Sequence, residues 1–344
     1  MTNYPAISVI IPMYNAEDYI AECLESIFMQ TFQDYEVIVV DDCSTDNCCV
    51  VVESYAEKFS GRLKLSHMEK NSGSGALPRN KGVMLARGEY VFFLDSDDMI
   101  TKTALEEIYT LAKNYEADVV YCEKDLEIKA GDSNIYVGVR QLGNFVKEPC
   151  LETEDLAQRV YKILNGEFSY STCFKTVRRD FMIANEIFFP HVCPSEDDIW
   201  THGLIFHAKK FLRVPNIVYI RRLTEGSVMR RKKTPAQEIN FWLNPLINGL
   251  KSLDNLMDKI EFFQRNPQYR CAILKNFIYI RFSCIIEASC KLQLPEIYAA
   301  IKGKYGKKLG ENDVLLSFLL ADLIQQQKIF AEMRERIAEL EKNK

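Results

Sequence analysis

The sequence predicts an α/β protein with a mostly parallel sheet, flanking helices and a separate C-terminal helical region. Short apolar runs alternate with amphipathic segments over residues 1–121, which is typical of strand–helix–strand units with right-handed crossovers. From Thr234 onward the pattern is helical to the end of the chain. We therefore expect a sheet domain over residues 1–233, with halves 1–121 and 122–233, and a helical region over 234–344.

Each of four predicted strands in the first half ends at a polar cluster. The strands cover residues 7–11, 35–40, 63–68 and 90–94, and helices are predicted at 17–30, 47–58 and 79–86. The clusters, in strand order, are Pro12-Met-Tyr-Asn15, Asp41-Asp42, Asn71-Ser-Gly-Ser-Gly75 and Asp95-Ser-Asp97-Asp98. Because ligands bind at the carboxyl ends of strands in open α/β sheets, we expect the four clusters to line one cleft.

The predicted elements are sparser beyond residue 100. Helices are predicted at 104–113, 154–165, 178–185 and 195–208, strands at 118–121 and 217–221, and a long helix at 311–344. Residues 122–150 are expected to be irregular, apart from an edge strand at 135–139. For the helical region 234–344, the pattern leaves open a role in homo-oligomer formation or in docking to a membrane surface.

The acidic cluster after residue 94 is the most informative part of the chain. Three carboxylates at the end of a buried strand repel one another unless a cation neutralises them. A hard divalent cation bound by oxygen ligands does so, and it can hold a diphosphate at the same time. The alternative is an acidic turn in which Asp98 or Thr101 caps the next helix.

Composition narrows the class of protein. The chain has 344 residues, of which 47% are hydrophobic and 26% charged, which is enough for a packed core. A net charge of −5 argues against a nucleic-acid partner. The 11 cysteines contain no Cys-x-x-Cys pair, which favours reduced thiols. No apolar run reaches about 18 residues. We therefore expect a cytoplasmic protein, with peripheral association at the inner face of the membrane left open.

Taken together, these motifs resemble glycosyltransferase family 2, whose members have the GT-A fold, a Rossmann-like nucleotide-binding sheet. The resemblance is strong over residues 5–125, moderate over 168–230 and absent after 235. The matching residues are Ser8-Val-Ile-Ile-Pro-Met-Tyr-Asn15, Glu36-Val-Ile-Val-Val-Asp-Asp42, Asn71-Ser-Gly73, Arg79-Asn80, Leu94-Asp-Ser-Asp-Asp98 and Glu196-Asp197.

The resemblance implies an inverting glycosyltransferase that needs Mn²⁺ or Mg²⁺. Its donor would be a UDP-hexose or UDP-N-acetylhexosamine, its acceptor a hydroxyl of a glycan or lipid-linked glycan, and its setting surface polysaccharide biosynthesis. Two alternatives stay open. A sugar nucleotidyltransferase would need a basic glycine-rich loop after the first strand, where Pro12-Met-Tyr-Asn15 stands instead. A non-catalytic nucleotide-sugar-binding scaffold would need the donor site alone.

The resemblance also assigns roles to individual residues. Asp197 is the expected catalytic base, although Ser195-Glu-Asp-Asp198 is also a good helix start and Asp198 competes for the role. Asp97 and Asp95 are the expected metal ligands. The expected donor-binding residues are Pro12, Tyr14, Asn15, Asp41, Asn71, Gly73, Arg79, Asp95, Ser96 and Arg222. For Asp42, a donor contact and a structural role are both left open.

Overall fold

The computed structural model describes residues 4–129, 135–141, 146–224, 232–289, 292–305, 307 and 313–342. The chain divides into two compact units. The first comprises residues 1–191 and 195–227, and the second comprises residues 192–194 and 228–344. The basic run Arg230-Arg-Lys-Lys233 lies partly outside the described residues.

The first unit contains a ten-stranded sheet. Its strands are β1 Ile7–Met13, β2 Tyr35–Asp41, β3 Leu63–His67, β4 Tyr90–Phe93, β5 Met99–Ile100, β6 Val119–Lys129, β7 Ile135–Gln141, β8 Cys150–Leu151, β9 Lys175–Arg178 and β10 Phe211–Leu223. Its helices are α1 Ile20–Phe28, α2 Cys48–Ser54, α3 Ala76–Leu85, α4 Ala104–Asn114, α5 Leu156–Leu164, α6 Arg179–Ala184 and α7 Glu196–His207, with a 3-10 turn at Thr172–Phe174.

The strand order along the sheet is β3-β2-β1-β4-β9-β6-β10-β5, with β7 paired to β6 and β8 paired to β10. Strands β1 to β4 pair in parallel, as do β6 and β10. Strand β9 is antiparallel to both β4 and β6, so these two run in the same direction. The carboxyl ends of β1 to β4, β6 and β10 therefore meet at one edge. The predicted α/β sheet is confirmed, but it is mixed instead of mostly parallel, because β5, β7, β8 and β9 pair antiparallel to their neighbours.

The central strands are buried because helices cover both faces of the sheet, which is why they read as continuous apolar runs. Ser8 is the polar exception in β1, and its hydroxyl donates to Glu36 Oε1 at 2.7 Å. The same hydroxyl accepts the Gly88 amide at 2.9 Å. A Cβ at Gly88 would lie 2.6 Å from the Ser8 backbone nitrogen, so this close approach requires glycine.

Several boundaries differ from the sequence-based expectation. Residues 122–129 were expected to be irregular, which is wrong: β6 runs on to Lys129 because β10 pairs with it along most of its length. Strand β10 begins at Phe211 instead of residue 217, and helix α3 begins at Ala76 instead of residue 79. Strands β5, β8 and β9 were not expected, because they have only two to four residues and no clear alternation.

The second unit is helical over its described residues, as the sequence predicts. Its helices are α8 Pro235–Asn248, α9 Leu250–Asp258, α10 Glu261–Arg265, α11 Pro267–Ser289, α12 Leu294–Tyr305 and α13 Asp313–Lys342. Thr234 and Gln237 form a capping box that starts α8. The core is formed by Ile239, Leu243, Ile285, Ile297, Ile301, Tyr305, Ala321 and Ile324. Within the described part of the chain, no helix combines the length and apolarity needed to span a bilayer.

Candidate active site

Arg79 joins two acids that lie far apart in the sequence. Its guanidinium donates from Nη2 to Asp95 Oδ1 at 2.8 Å and from Nη1 to Asp197 Oδ1 at 3.3 Å. Only 8% of Arg79 is exposed, and a Cβ at Gly75 would lie 2.9 Å from its Nη1. Burial lowers the pKa of Arg79, but Asp197 and Asp95 outweigh this effect and raise the pKa above its usual value. Arg79 is therefore a fixed cation between the end of β4 and the start of α7.

Asp197 lies in the first turn of α7 and keeps 30% of its side chain exposed. Its Oδ2 accepts the Thr172 amide at 3.4 Å, so both carboxylate oxygens have partners. Ser195 precedes the helix with φ 88°, and its side chain does not cap α7. If the motif were only a helix start, a capping hydrogen bond to the Ser195 side chain would be expected, and α7 has none. The contact between Asp197 and Arg79 favours a role for Asp197 in the site instead.

Glu196, beside the expected base, has a strongly perturbed acidity. Burial and the neighbouring Asp197 raise the pKa of Glu196, Arg79 opposes them, and the net result is a pKa of about 7. A carboxyl with this pKa is partly protonated at neutral pH. The start of α7 thus carries one titrating acid directly beside Asp197.

The three acids after β4 have different surroundings. Asp98 is buried, and its carboxylate accepts the Tyr219 hydroxyl and the Arg222 amide, both at 2.7 Å. Asp97 accepts the Thr224 hydroxyl at 3.2 Å. Burial and the neighbouring acids raise the pKa of Asp97 and of Asp98. Because this acidic cluster is short of positive charge, a cation bound beside it would be stabilised.

Asp95 and Asp97 suit Mg²⁺ or Mn²⁺, which prefer oxygen ligands and commonly take one or two protein carboxylates plus substrate phosphates. Asp98 is a poorer candidate, because its two oxygens already accept hydrogen bonds. Among the described residues, the three acids after β4 do not converge as a three-ligand group; the group that does is Asp41, Cys48 and Cys49.

Asp41, the last residue of β2, lies at the same edge of the sheet as the acids after β4. Its Oδ1 accepts the Ser44 amide at 3.0 Å, and its Oδ2 lies 3.1 Å from His67 Nδ1. Burial raises the pKa of Asp41, but the bonds from Ser44 and His67 outweigh it and leave the pKa below its usual value. Asp41 is therefore an ionised acceptor, which suits uracil N–H or ribose hydroxyl groups.

The first strand ends in residues that shape the adjacent turn. Asn15 has φ 48°, and its Oδ1 accepts the Thr45 amide at 2.7 Å. Tyr14 is 51% exposed, which leaves its ring accessible to a ligand. Pro12 lies within β1 beside Val40.

Asp42 positions the glycine-rich loop. Its carboxylate accepts the Ser72 amide at 2.9 Å and the Ser72 hydroxyl at 2.9 Å. Asn71 donates from Nδ2 to the Asp42 carbonyl at 2.8 Å and accepts the Gly73 amide at 2.9 Å. Gly73 has φ 77°, a left-handed conformation that favours glycine. Of the two roles left open for Asp42, these contacts favour the structural one.

Arg222 lies on the inner side of the acidic turn. Its Nη2 pairs with Glu22 Oε2 at 2.8 Å, and its Nε donates to the Asp97 carbonyl at 3.0 Å. Ser96 is half-buried in the same turn. The donor contacts assigned to Arg222 and Ser96 stay predictions, and the structure adds a role for Arg222 in fixing the turn.

Two residues at the site were not singled out from the sequence. Tyr219 connects the acids, since its hydroxyl donates to Asp98 and accepts the Asp95 amide at 3.2 Å. Lys175 is fully buried and donates from Nζ to the carbonyls of Ser169 at 2.7 Å and Ser171 at 2.8 Å. Burial lowers the pKa of Lys175 to about 7. In the sequence, Lys175 ends the segment Cys-Phe-Lys, and Tyr219 begins the segment Tyr-Ile-Arg-Arg that contains Arg222; these two segments are the signals that could have pointed to them.

This sheet, with acids at the carboxyl ends of its strands, has the architecture of the GT-A fold. The sequence profile described as Glycosyl transferase family 2 matches residues 8–180. The chain therefore belongs to this family and is a glycosyltransferase.

The relatives in sequence include bacterial glycosyltransferases. Glycosyltransferase GlyG of Streptococcus pneumoniae is 32% identical over 230 residues, which are 65% of this chain and 73% of GlyG. Poly(ribitol-phosphate) beta-N-acetylglucosaminyltransferase TarS of Staphylococcus aureus is 36% identical over 206 residues, 59% of this chain. The match spans only 33% of TarS, so its whole activity does not transfer directly.

Solved structures agree on the fold. The S. aureus TarS 1–349 structure in complex with UDP has a TM-score of 0.58 at 21% identity, covering 93% of this chain and 91% of that one. Mannosyltransferase PcManGT of Pyrobaculum calidifontis, in complex with GDP-Man and Mn²⁺, has a TM-score of 0.51 at 17% identity, covering 96% of this chain and 88% of that one. At these identities the likeness establishes the GT-A fold and no more.

Proposed function

We propose that the chain transfers a hexose or N-acetylhexosamine from a UDP-sugar to a hydroxyl of a glycan or lipid-linked acceptor, with inversion and with a divalent metal. The bridge from Asp95 through Arg79 to Asp197 is the observation that carries this proposal. The Arg79 guanidinium thus connects Asp95, an expected donor-binding acid, with Asp197, the expected base. Surface polysaccharide biosynthesis is the proposed setting, because TarS, one relative, is named for glycosylation of poly(ribitol phosphate).

The donor's nucleoside is assigned to the end of β2. Ionised Asp41 is an acceptor at this edge, and exposed Tyr14 offers a ring for stacking. The choice of UDP rests on TarS, whose structures include complexes with UDP and UDP-GlcNAc. The sugar itself would lie towards Asp95 and Arg79, between the nucleoside and the base.

The metal is assigned to Asp97 and Asp95, the two acids of the turn with capacity for a further ligand. Asp97 and Asp95 would hold Mg²⁺ or Mn²⁺ here, and the ion would supply positive charge for the departing diphosphate. Asp98, Tyr219 and the Arg222 amide hold the turn in place, so the two carboxylates are oriented before the donor arrives.

Asp197 is assigned to remove the proton from the acceptor hydroxyl. Its contacts with Arg79 and the Thr172 amide fix the carboxylate, and its 30% exposure leaves it open to an acceptor. One displacement at the anomeric carbon then forms the new glycosidic bond while the bond to diphosphate breaks. Attack opposite the leaving group inverts the configuration.

The test is UDP release from a panel of UDP-sugars with Mn²⁺ and a glycan acceptor. We expect turnover with at least one donor and loss of at least about 100-fold in Asp97→Asn and in Asp197→Asn. Asp180→Asn is the matched control, since that side chain is 89% exposed. Donor binding should survive in Asp197→Asn but weaken in Asp97→Asn. Near-normal transfer by either site variant, with intact folding, would refute the corresponding assignment.

A further inference from the structure

A second group of metal-ligand side chains lies at Asp41, separate in sequence from the acids after β4. One ligand atom from each of Asp41, Cys48 and Cys49 lies within 4.8 Å of the other two. Asp41 ends β2, and the two cysteines begin α2. His67, at the end of β3, places its Nδ1 3.1 Å from Asp41 Oδ2. Strand β2, helix α2 and strand β3, which follow one another in the chain, thus bring these side chains together.

The ligand chemistry of this cluster differs from that of the acidic turn. Hard cations such as Mg²⁺ and Mn²⁺ prefer oxygen atoms, whereas thiolates select zinc and other soft ions. Two sulfurs and a carboxylate, the ligand atoms of this cluster, are all types that zinc accepts. Zn–S bonds of about 2.3 Å place sulfurs of a tetrahedral site roughly 3.7 Å apart. The ligand atoms of the cluster lie within 4.8 Å of one another, so the side chains need only a small movement to close around the ion.

Apolar packing does not account for the cluster as a whole. Burial as a small apolar residue fits Cys48, which has no exposed surface, but not half-buried Cys49 beside a carboxylate. Metal binding would use both thiols and the carboxylate together.

We propose that Asp41, Cys48 and Cys49 bind a zinc-type soft divalent cation, with a solvent molecule as the fourth ligand and His67 hydrogen-bonded to the Asp41 carboxylate. Binding displaces the two thiol protons to solvent and leaves two thiolates on the ion, with no change of oxidation state. Since the proposed function assigns Asp41 to the donor's nucleoside, a cation held here competes with the UDP-sugar. Zinc bound at the cluster thus inhibits donor binding, whereas manganese, a hard cation, does not compete at this place.

The direct test is titration of the metal-free, reduced full chain with Co²⁺, followed by Zn²⁺. We expect one tight Co²⁺ per chain with an intense thiolate-to-cobalt absorption band that stoichiometric Zn²⁺ removes. Cys49→Ser should weaken Zn²⁺ binding at least about tenfold and reduce the band, as should His67→Gln to a smaller degree. The half-buried position of Cys49 makes its serine variant the safer one for folding; Cys48→Ser is read only if its melting temperature is near that of the parent.

Cys43→Ser is the matched control. Cys43 lies in the same turn, but its thiol donates to the Met68 carbonyl at 3.3 Å and is not in the ligand group. This variant should keep both the band and the zinc affinity. Absence of a band, a band unchanged in Cys49→Ser, or equal losses in Cys43→Ser and Cys49→Ser would each overturn the site.

The competition is tested separately, by UDP binding and by UDP release with saturating Mn²⁺. Added Zn²⁺ should weaken UDP binding at least about tenfold in the parent, and Cys49→Ser should resist it. A cobalt band without UDP binding would refute the proposed function and leave the metal site standing. UDP binding and transfer without a cobalt band would refute the metal site and leave the proposed function standing.

Discussion

Replacement of Arg79 by methionine removes the cation between Asp95 and Asp197 while it preserves most of the side-chain volume. Arg79 is 8% exposed and its donors lie 2.8 and 3.3 Å from the two carboxylates. Loss of one partner of a buried ion pair costs about 3–5 kcal/mol. The carboxylates are 36% and 30% exposed, so solvent screening places the expected loss in unfolding free energy near the lower limit, about 3 kcal/mol.

A loss of this size lowers the melting temperature of a unit of this length by about 6–12 °C. We also expect transfer to fall at least about 100-fold, because Asp197 loses the contact that orients it and a displacement of about 1 Å suffices for such a loss. Calorimetry measures the first effect, and UDP release with saturating donor and Mn²⁺ measures the second.

Arg79→Lys separates charge from geometry. A lysine keeps the positive charge but lacks the planar fork that bonds two carboxylates at once. It should recover part of the lost stability and little of the transfer. Arg62→Met is the matched control, because Arg62 bonds Gln33 away from the acids. If Arg79→Met melted and turned over like the parent, the bridge would be neither a structural nor a functional element.

Two further predictions concern groups beside the expected base. Lys175→Met removes the hydrogen bonds to the Ser169 and Ser171 carbonyls. This frees the segment that presents the Thr172 amide to Asp197, so kcat should fall about 10–100-fold with little change in donor KM. The control is Lys64→Met, because Lys64 is exposed. A changed donor KM with unchanged kcat would contradict this positioning role. Burial and Asp197 raise the pKa of Glu196 from 4.5 to about 7, so the folded state binds more protons than the unfolded state between these values and stability falls as pH rises through them. Glu196→Gln should therefore be more stable than the parent at pH 8, by at most about 3 kcal/mol, and this gain should vanish near pH 4. Denaturant titrations at both pH values measure the free energy of unfolding. An equal gain at both pH values would refute the pKa assignment.

The sequence predicted the parts of the fold that local pattern determines. Strands β1, β2 and β4 are continuous apolar runs because both faces are covered, and each is followed by polar residues. Strand β9 escaped prediction because Lys175 and Arg178 interrupt its apolar pattern. Lys175 is buried only because backbone carbonyls of residues 169 and 171 bond its ammonium group, a tertiary effect that propensity does not contain.

The site divides in the same way. The presence of strand-end acids could be read from the sequence, since the apolar runs place them at one edge of the sheet. The pairing of Arg79 with Asp197 could not, because it depends on how α7 approaches the sheet. The thiols beside Asp41 also needed the structure, since adjacent cysteines in a sequence give no indication of a third ligand.

The two acidic doublets at the strand ends, Asp41-Asp42 and Asp97-Asp98, share one structural feature. In each, the second acid is buried and holds a loop: Asp42 accepts the Ser72 amide and hydroxyl, and Asp98 accepts the Tyr219 hydroxyl and the Arg222 amide. The hydrogen bonds offset part of the cost of burying the carboxylate, and they hold the loop in place. The first acid of each doublet, Asp41 or Asp97, stands directly before this anchor in the chain. Asp41 is itself buried and is held by the Ser44 amide and by His67. In both doublets the second acid therefore fixes the turn that carries the first.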